Sequence, residues 1–213
     1  MKHMITMDSL WNEPSSDLWE MALKRYWSYV KPANLELEKE MDCLQVSSIS
    51  GMNETQWYEF LLHKYFKWKY TAPNRYGSTT KHLRQSVDQR GLSYLVKIKE
   101  KLLNFDLNDI EEGLQIATEI SGLGAPGASG LLAILYPSHF GTIDQFAVKA
   151  LLQVSHLSDA EKIKRMNPNA LKLQDGVLLI SIMRLKAKEL NLLFSTASWT
   201  PRKIDMVLWT CGR

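Results

Sequence analysis

The chain has 213 residues, of which 45 % are hydrophobic and 23 % charged, with a formal net charge of +3. That balance is ordinary for a globular protein and excludes a collagen-like or low-complexity chain. Two cysteines are too few for a four-thiolate metal or iron–sulfur site, and the longest apolar runs, residues 130–135 and 177–180, are too short to span a bilayer.

Met1-Lys2-His3-Met4 leads into a polar stretch rather than an apolar signal core, so the chain reads as cytoplasmic, with Cys43 and Cys211 read as free thiols and a structural disulfide between them as the alternative. Ser15, Ser16 and Asp17 can cap a helix that carries Trp19, Ala22, Leu23, Tyr26 and Val30 at helical spacing and that Pro32 ends. From Thr55, the residues Trp57, Phe60, Leu61, Lys64, Tyr65 and Trp68 predict another amphipathic helix. Residues 71–78 read as a loop from Pro73, Asn74 and Gly77. Leu92, Leu95, Ile98 and Leu102 then form one helical face.

Leu107, Ile110, Leu114, Ala117 and Ile120 predict a helix that leads into a glycine turn. Ala128, Leu131, Leu132 and Leu135 predict the helix after it, stopped by Pro137. Asp144 opens a helix with Phe146, Val148, Leu151 and Leu152. A further helix runs from about Asp175 to Leu192, and the last begins near Thr200-Pro201 and carries Ile204, Leu208 and Trp209. No sustained alternation of period two appears. The fold class is therefore all-α, with residues 1–213 forming a single helical unit of one or two packed lobes.

Charge is unevenly spread. Residues 1–60 are dominated by acids such as Glu36, Glu38, Glu40 and Asp42. Residues 61–101 carry Lys64, Lys67, Lys69, Arg75, Lys81, Arg84, Arg90, Lys97, Lys99 and Lys101 against Asp88 and Glu100. A polyanion-binding face and a set of solvated helix faces both fit this pattern. The run Lys64-Tyr65-Phe66-Lys67-Trp68-Lys69-Tyr70 interleaves bases with aromatics, which suits nucleic acid or a snorkelling helix edge equally. The histidines, His63, His82, His139 and His156 among them, show no metal-site spacing.

The glycine turn is Gly122-Leu123-Gly124-Ala125-Pro126-Gly127. Glycine permits positive φ and close backbone approach. Leu123 is expected to point into the two-helix core. The unpaired amides at the start of the second helix are then free to grip a phosphate. Gly122, Leu123, Gly124, Ala125 and Gly127 are accordingly the candidate backbone contacts to DNA; a ligand-free helical hairpin is the alternative. Asp144, one helix and a short loop further on, is an N-cap by type, and its second oxygen is free to face a cleft.

The run Gly122-Leu123-Gly124-Ala125-Pro126-Gly127-Ala128-Ser129, followed by Phe140-Gly141-Thr142-Ile143-Asp144-Gln145-Phe146-Ala147-Val148-Lys149-Ala150-Leu151, resembles the helix-hairpin-helix DNA glycosylase superfamily, whose familiar members are the adenine and 8-oxoguanine glycosylases. The resemblance is clearest over residues 107–152. The ending from Trp199 to Trp209 is similar to the close of small bacterial proteins with the 8-oxoguanine glycosylase fold, and the N-terminal third carries no such likeness. The resemblance implies a helix-hairpin-helix DNA glycosylase-like fold with Asp144 as the catalytic acid. Pro126 stands where bifunctional members carry a lysine, and an internal proline has no amine for a Schiff base. A monofunctional enzyme is implied, one that leaves an abasic site without cutting the strand. No cofactor, iron–sulfur cluster or catalytic metal is expected. Double-stranded DNA is the expected partner, bound by a monomer away from membranes.

Cleaving an N-glycosidic bond builds positive charge on the sugar, which an ionised Asp144 can stabilise while it positions water. The base must first leave the stack, so the protein needs a pocket and a wedge. Trp68, Tyr70, Phe146 and Trp209 are the aromatic candidates, with core packing as the alternative for each. By the same resemblance, Asp205 and Trp209 on the last helix offer a polar group and then an aromatic one turn later to the flipped base. Lys149 is read as a phosphate contact or a surface residue. The substrate classes are a damaged base or, because some small bacterial glycosylases resembling this chain act in antiviral defence, a hypermodified base of phage DNA. The rival reading is a non-enzymatic helix-hairpin-helix DNA-binding module in which Asp144 is only a cap.

Overall fold

The computed structural model describes residues 6–213, so the N-terminal reading of Met1 to Met4 lies outside the described residues. The described chain is helical, with no strand. α1 (Met7–Asn12) is capped by Thr6, whose hydroxyl oxygen accepts the Ser9 amide at 3.1 Å. α2 (Ser16–Tyr29) buries Trp19, Ala22 and Tyr26 along one stripe. Pro32 does not simply end this helix; it opens α3 (Pro32–Asp42). At a first helical position the missing N–H has no partner to lose and the fixed φ suits the helix.

α4 (Val46–Ser50) is short. α5 (Glu54–Glu59) starts from a capping box between Asn53 and Gln56. It runs into a π-helical turn over Phe60–Tyr65 and then α6 (Phe66–Lys69). The helix expected from Thr55 is thus present, with its register altered midway. The expected loop over 71–78 is corrected: α7 (Pro73–Arg90) begins at Pro73. Proline again sits where it initiates, and the Thr79 and Thr80 hydroxyls fold back to the Arg75 and Tyr76 carbonyls at 2.8 and 2.6 Å.

α8 (Ser93–Asn104) follows Gly91, and α9 (Ile110–Thr118) is capped by Asp109, which accepts the Glu112 amide at 2.9 Å. That cap starts the helix three residues beyond Leu107. α10 (Ala125–Leu135) is buried along nearly its whole length, with Ala128 to Leu135 sealed on all sides, as expected of a helix that is apolar all round. Then come α11 (Gln145–Leu151), α12 (Ala160–Lys164), α13 (Leu173–Leu193) and α14 (Pro201–Cys211).

α9 packs on α10 and α13, while α14 packs on α2, α11 and α13. Buried apolar residues from Met7 to Leu208 form one connected core. Each fully buried leucine there, such as Leu131 and Leu132, contributes about 1.5–3 kcal/mol. Among the described residues no helix is long and apolar enough to cross a membrane.

Candidate functional site

The glycine turn links α9 to α10. Gly122 has φ +97°, and a Cβ there would collide with the Thr79 carbonyl oxygen of α7. Only glycine fits that backbone and that contact without strain. Leu123 is buried as expected and its amide closes the turn on the Ile120 carbonyl at 3.0 Å. Gly124 is exposed and serves as the N-cap of α10 without a side chain to cap it. The first-turn amides therefore have no acceptor within the helix. Ala125 and Gly127 are buried, with the Gly127 carbonyl accepting the Tyr65 hydroxyl. Arg75, Lys81 and Arg84 are exposed on α7, the helix that packs against Gly122.

α10 also holds the loop that leads to Asp144. Ser129 is fully buried, and its Oγ accepts the Ile143 amide at 3.0 Å. Asp205 Oδ2, on α14, accepts the neighbouring Thr142 amide at 2.6 Å. Two consecutive amides are thus fixed from two different helices. Asp144 follows in extended conformation and caps α11, with Oδ1 accepting the Phe146 and Ala147 amides at 2.8 and 2.9 Å. No described residue donates to Oδ2. Asp144 is half-buried. Burial raises its carboxyl above the usual range, against the pull of the Lys69 ammonium and the two capping amides.

Asp144 lines a pocket of about 180 Å³ with Lys69, Thr142, Trp68, Asp205 and Trp209. Lys69 comes from the end of α6. Burial lowers its amine to about 8, although Asp144, Asp205 and Glu38 all favour its charged form. Lys69 and Asp144 do not close into an ion pair among the described residues.

Behind the pocket lies a buried ionic network. Arg202 donates to Asp205 at 2.9 Å and to Glu38 at 3.0 Å. Tyr26 donates to Glu38 at 2.6 Å, and the Trp68 indole donates to the other Glu38 oxygen at 2.8 Å. Burial drives Asp205 up to about 6, opposed by Arg202 and the Thr142 amide. Burial works against the Arg202 charge as well, but Asp205 and Glu38 outweigh it and its guanidinium is held more firmly protonated than usual. Asp205 is therefore a clamp, with its oxygens occupied by Arg202 and Thr142.

Of the residues singled out from the sequence, Asp144, Trp68, Asp205 and Trp209 meet in this pocket. Phe146 lines an adjoining recess of about 640 Å³ that shares Trp68 and Trp209 as walls. It packs edge-on to Trp209 with 6.0 Å between ring centroids. Tyr70 stands elsewhere, against the glycine turn, with its hydroxyl 3.3 Å from the Gly122 carbonyl. Lys149 is exposed, with its amine 5.4 Å from the Phe146 ring. Several of the basic residues are already engaged: Lys64 pairs with Glu40, Lys101 with Glu119, and Lys99 is buried on the Met52 carbonyl.

Glu38, Tyr26 and Arg202 were not visible as site residues from the sequence. Lys69 stood out only as one of several bases in a mixed run. Its position one turn after the buried Tyr65 was the available signal, because that spacing puts a lysine on an inward face. Among the described residues no cluster of His, Cys, Asp or Glu could hold a metal ion. Comparison with family models, with characterised proteins and with solved structures gave no match.

Proposed function

We propose that this chain is a DNA N-glycosylase that flips a base out of the duplex and releases it, with Asp144 as the essential acid. The observation that carries this reading is the division of labour within one carboxylate. Oδ1 is spent on the α11 amides, Oδ2 accepts from no described residue, and Asp144 lines a pocket walled by Trp68 and Trp209. An acid so held loses little on reorganisation when positive charge develops on the sugar. In the hydrolytic step the C1′–N bond breaks, water adds its oxygen to C1′, and a proton leaves with the base. The glycine turn and the exposed Arg75, Lys81 and Arg84 would hold backbone phosphates, in keeping with the helix-hairpin-helix arrangement expected from residues 107–152. Pro126 leaves the turn itself without an amine.

The adjoining recess supports a base that carries a bulky substituent. The small pocket shares Trp68 and Trp209 with it as walls, and the recess adds Asn34, Lys31 and Tyr29 as polar and aromatic surface. A hypermodified base of phage DNA fits that shape better than a lightly oxidised one. The test is incubation with a panel of modified and unmodified genomic DNAs, followed by alkali to break abasic sites. Alkali-labile breaks on at least one modified DNA are expected. Salt-dependent binding without abasic sites on any of them would favour the DNA-binding module instead. Plating phages with modified and unmodified genomes on expressing cells checks the antiviral role; equal plating removes it.

A further inference from the structure

The recess beside the pocket is rich in positive charge. Lys31, Lys67 and Arg213 line it, and Glu38 is its only acidic side chain among the described residues. Both Glu38 oxygens are occupied. One accepts from Tyr26 at 2.6 Å and from Arg202 at 3.0 Å, the other from the Trp68 indole at 2.8 Å. Two more acids of α3 are matched outside the recess: Glu36 lies 3.7 Å from Lys39, and Glu40 lies 2.8 Å from Lys64. Asp42, the last acid of that helix, does not line the recess. Lys31, Lys67 and Arg213 form no ion pair among the described residues. The recess therefore carries a positive charge that no lining side chain balances.

Its other surface is aromatic. Arg213 lies over Trp209, 4.4 Å from the ring centroid, and 5.1 Å from that of Tyr29. Contact with a ring does not use up the guanidinium N–H donors, so Arg213 can still take an anionic oxygen. Trp209 is braced in turn by Tyr26 and Phe146, at 5.3 and 6.0 Å between ring centroids. The pocket that Asp144 lines shares Tyr26, Glu38, Trp68, Thr71 and Trp209 with the recess. A base in the smaller cavity and an arm attached to it in the larger one would thus be neighbours.

From this unbalanced charge we infer that the recess is a subsite for an acidic substituent: the excised base carries an arm ending in a carboxylate or phosphate, which Lys31, Lys67 and Arg213 receive. The inference rests on the glycosylase reading and narrows its substrate class. A phosphate of the DNA backbone offers the same anionic oxygens, but the walls favour the arm. Tyr29, Trp68, Phe146 and Trp209 present apolar surface that an arm covers along its length. Water displaced from that surface leaves the charges less screened, so they pair more strongly. A phosphate at the surface of a duplex gains from neither effect. An arm ending in an ammonium is repelled by the same three cations.

The experiment uses the full chain and a duplex with one deoxyuridine whose C5 bears a carboxybutyl arm. The control duplex bears the same arm ending in a carboxamide, of equal size and no charge. A fluorine at C2′ of that nucleotide withdraws electrons from C1′ and blocks base release, so binding is read alone, by fluorescence anisotropy at fixed salt. The carboxylate duplex should bind ~10-fold or more tightly than the carboxamide one, as a charge-assisted hydrogen bond provides. Lys31 and Lys67 are exposed, so Lys31→Ala and Lys67→Ala should fold. Each should cut the ratio of the two affinities by ~3-fold or more. If both variants weaken the two duplexes equally, the cations serve the backbone and the inference is overturned. Equal binding of the two duplexes by the parent, or binding to neither, also overturns it. Failure of the glycosylase reading shows separately, as a preference for the carboxylate duplex without base release from its unfluorinated form or from any modified DNA.

Discussion

Asp205 on the last helix accepts the backbone amide of Thr142 at 2.6 Å, two residues before Asp144. A side chain near the C-terminus therefore fixes where the candidate acid begins. Arg202, one turn earlier, ties the same carboxylate to Glu38 on α3, so residues from the first, middle and last thirds of the chain hold one loop in place.

Removing this clamp should be costly. Asp205→Ala leaves a buried guanidinium short of a partner and the Thr142 amide unpaired. Breaking a buried pair on one side typically costs about 3–5 kcal/mol. Urea unfolding of the variant should show a loss of that order. A loss under about 1 kcal/mol, the range of an exposed pair, would show that the network contributes little to stability.

Asp144→Asn separates capping from chemistry. Asparagine caps about as well as aspartate, so Oδ1 can go on accepting the Phe146 and Ala147 amides, and stability should shift by no more than about 0.5 kcal/mol. The negative charge is lost. Base release measured by alkali cleavage should fall ~10²–10³-fold. Unchanged release with unchanged stability would remove Asp144 from the mechanism.

Gly122→Ala strains the turn twice, through the positive φ of 97° and through the Thr79 carbonyl. A loss of about 1–3 kcal/mol is expected, read as a lower thermal midpoint. Binding to any duplex should weaken uniformly, without a change in base preference, because the turn would contact backbone only.

Lys69 should make stability depend on alkaline pH. Its folded value is lowered from 10.5 to about 8 by burial. Below 8 it is charged in both the folded and unfolded chain, and the folded state bears the burial penalty. Between 8 and 10.5 the unfolded chain keeps a proton that the folded one has shed, so stability climbs with pH across that window. Lys69→Met should flatten the climb and be more stable than the parent at pH 7. Parallel curves for the two proteins from pH 7 to 10.5 would contradict the burial of the amine.

The all-helical character was legible because apolar spacing is a local signal. The α9–turn–α10 segment and the cap at Asp144 were legible for the same reason: glycine, proline and aspartate act on their immediate neighbours. Pro32 and Pro73 misled for an equally local reason, since a proline that reads as a helix stop or as part of a loop is also favoured at the first position of a helix. Glu38 and Lys69 were hidden by tertiary packing. Nothing near either residue in the chain says that α3 and α6 come to lie beside α11 and α14. The burial of Tyr65 one turn before Lys69 is the exception, and it becomes a signal only when the inward face of the helix is identified first.

The π-helical turn over Phe60–Tyr65 sets the phase of everything after it. A wide turn of this kind takes in one residue more than an α-helical turn, and one residue corresponds to about 100° of rotation. Shortening this segment by one residue would restore an ordinary helix and swing α6 around its axis. Tyr65 would lose its place under Gly127, and Trp68 and Lys69 would turn away from Asp144. The lining of the pocket thus depends on a single surplus residue in the helix that leads into Trp68 and Lys69.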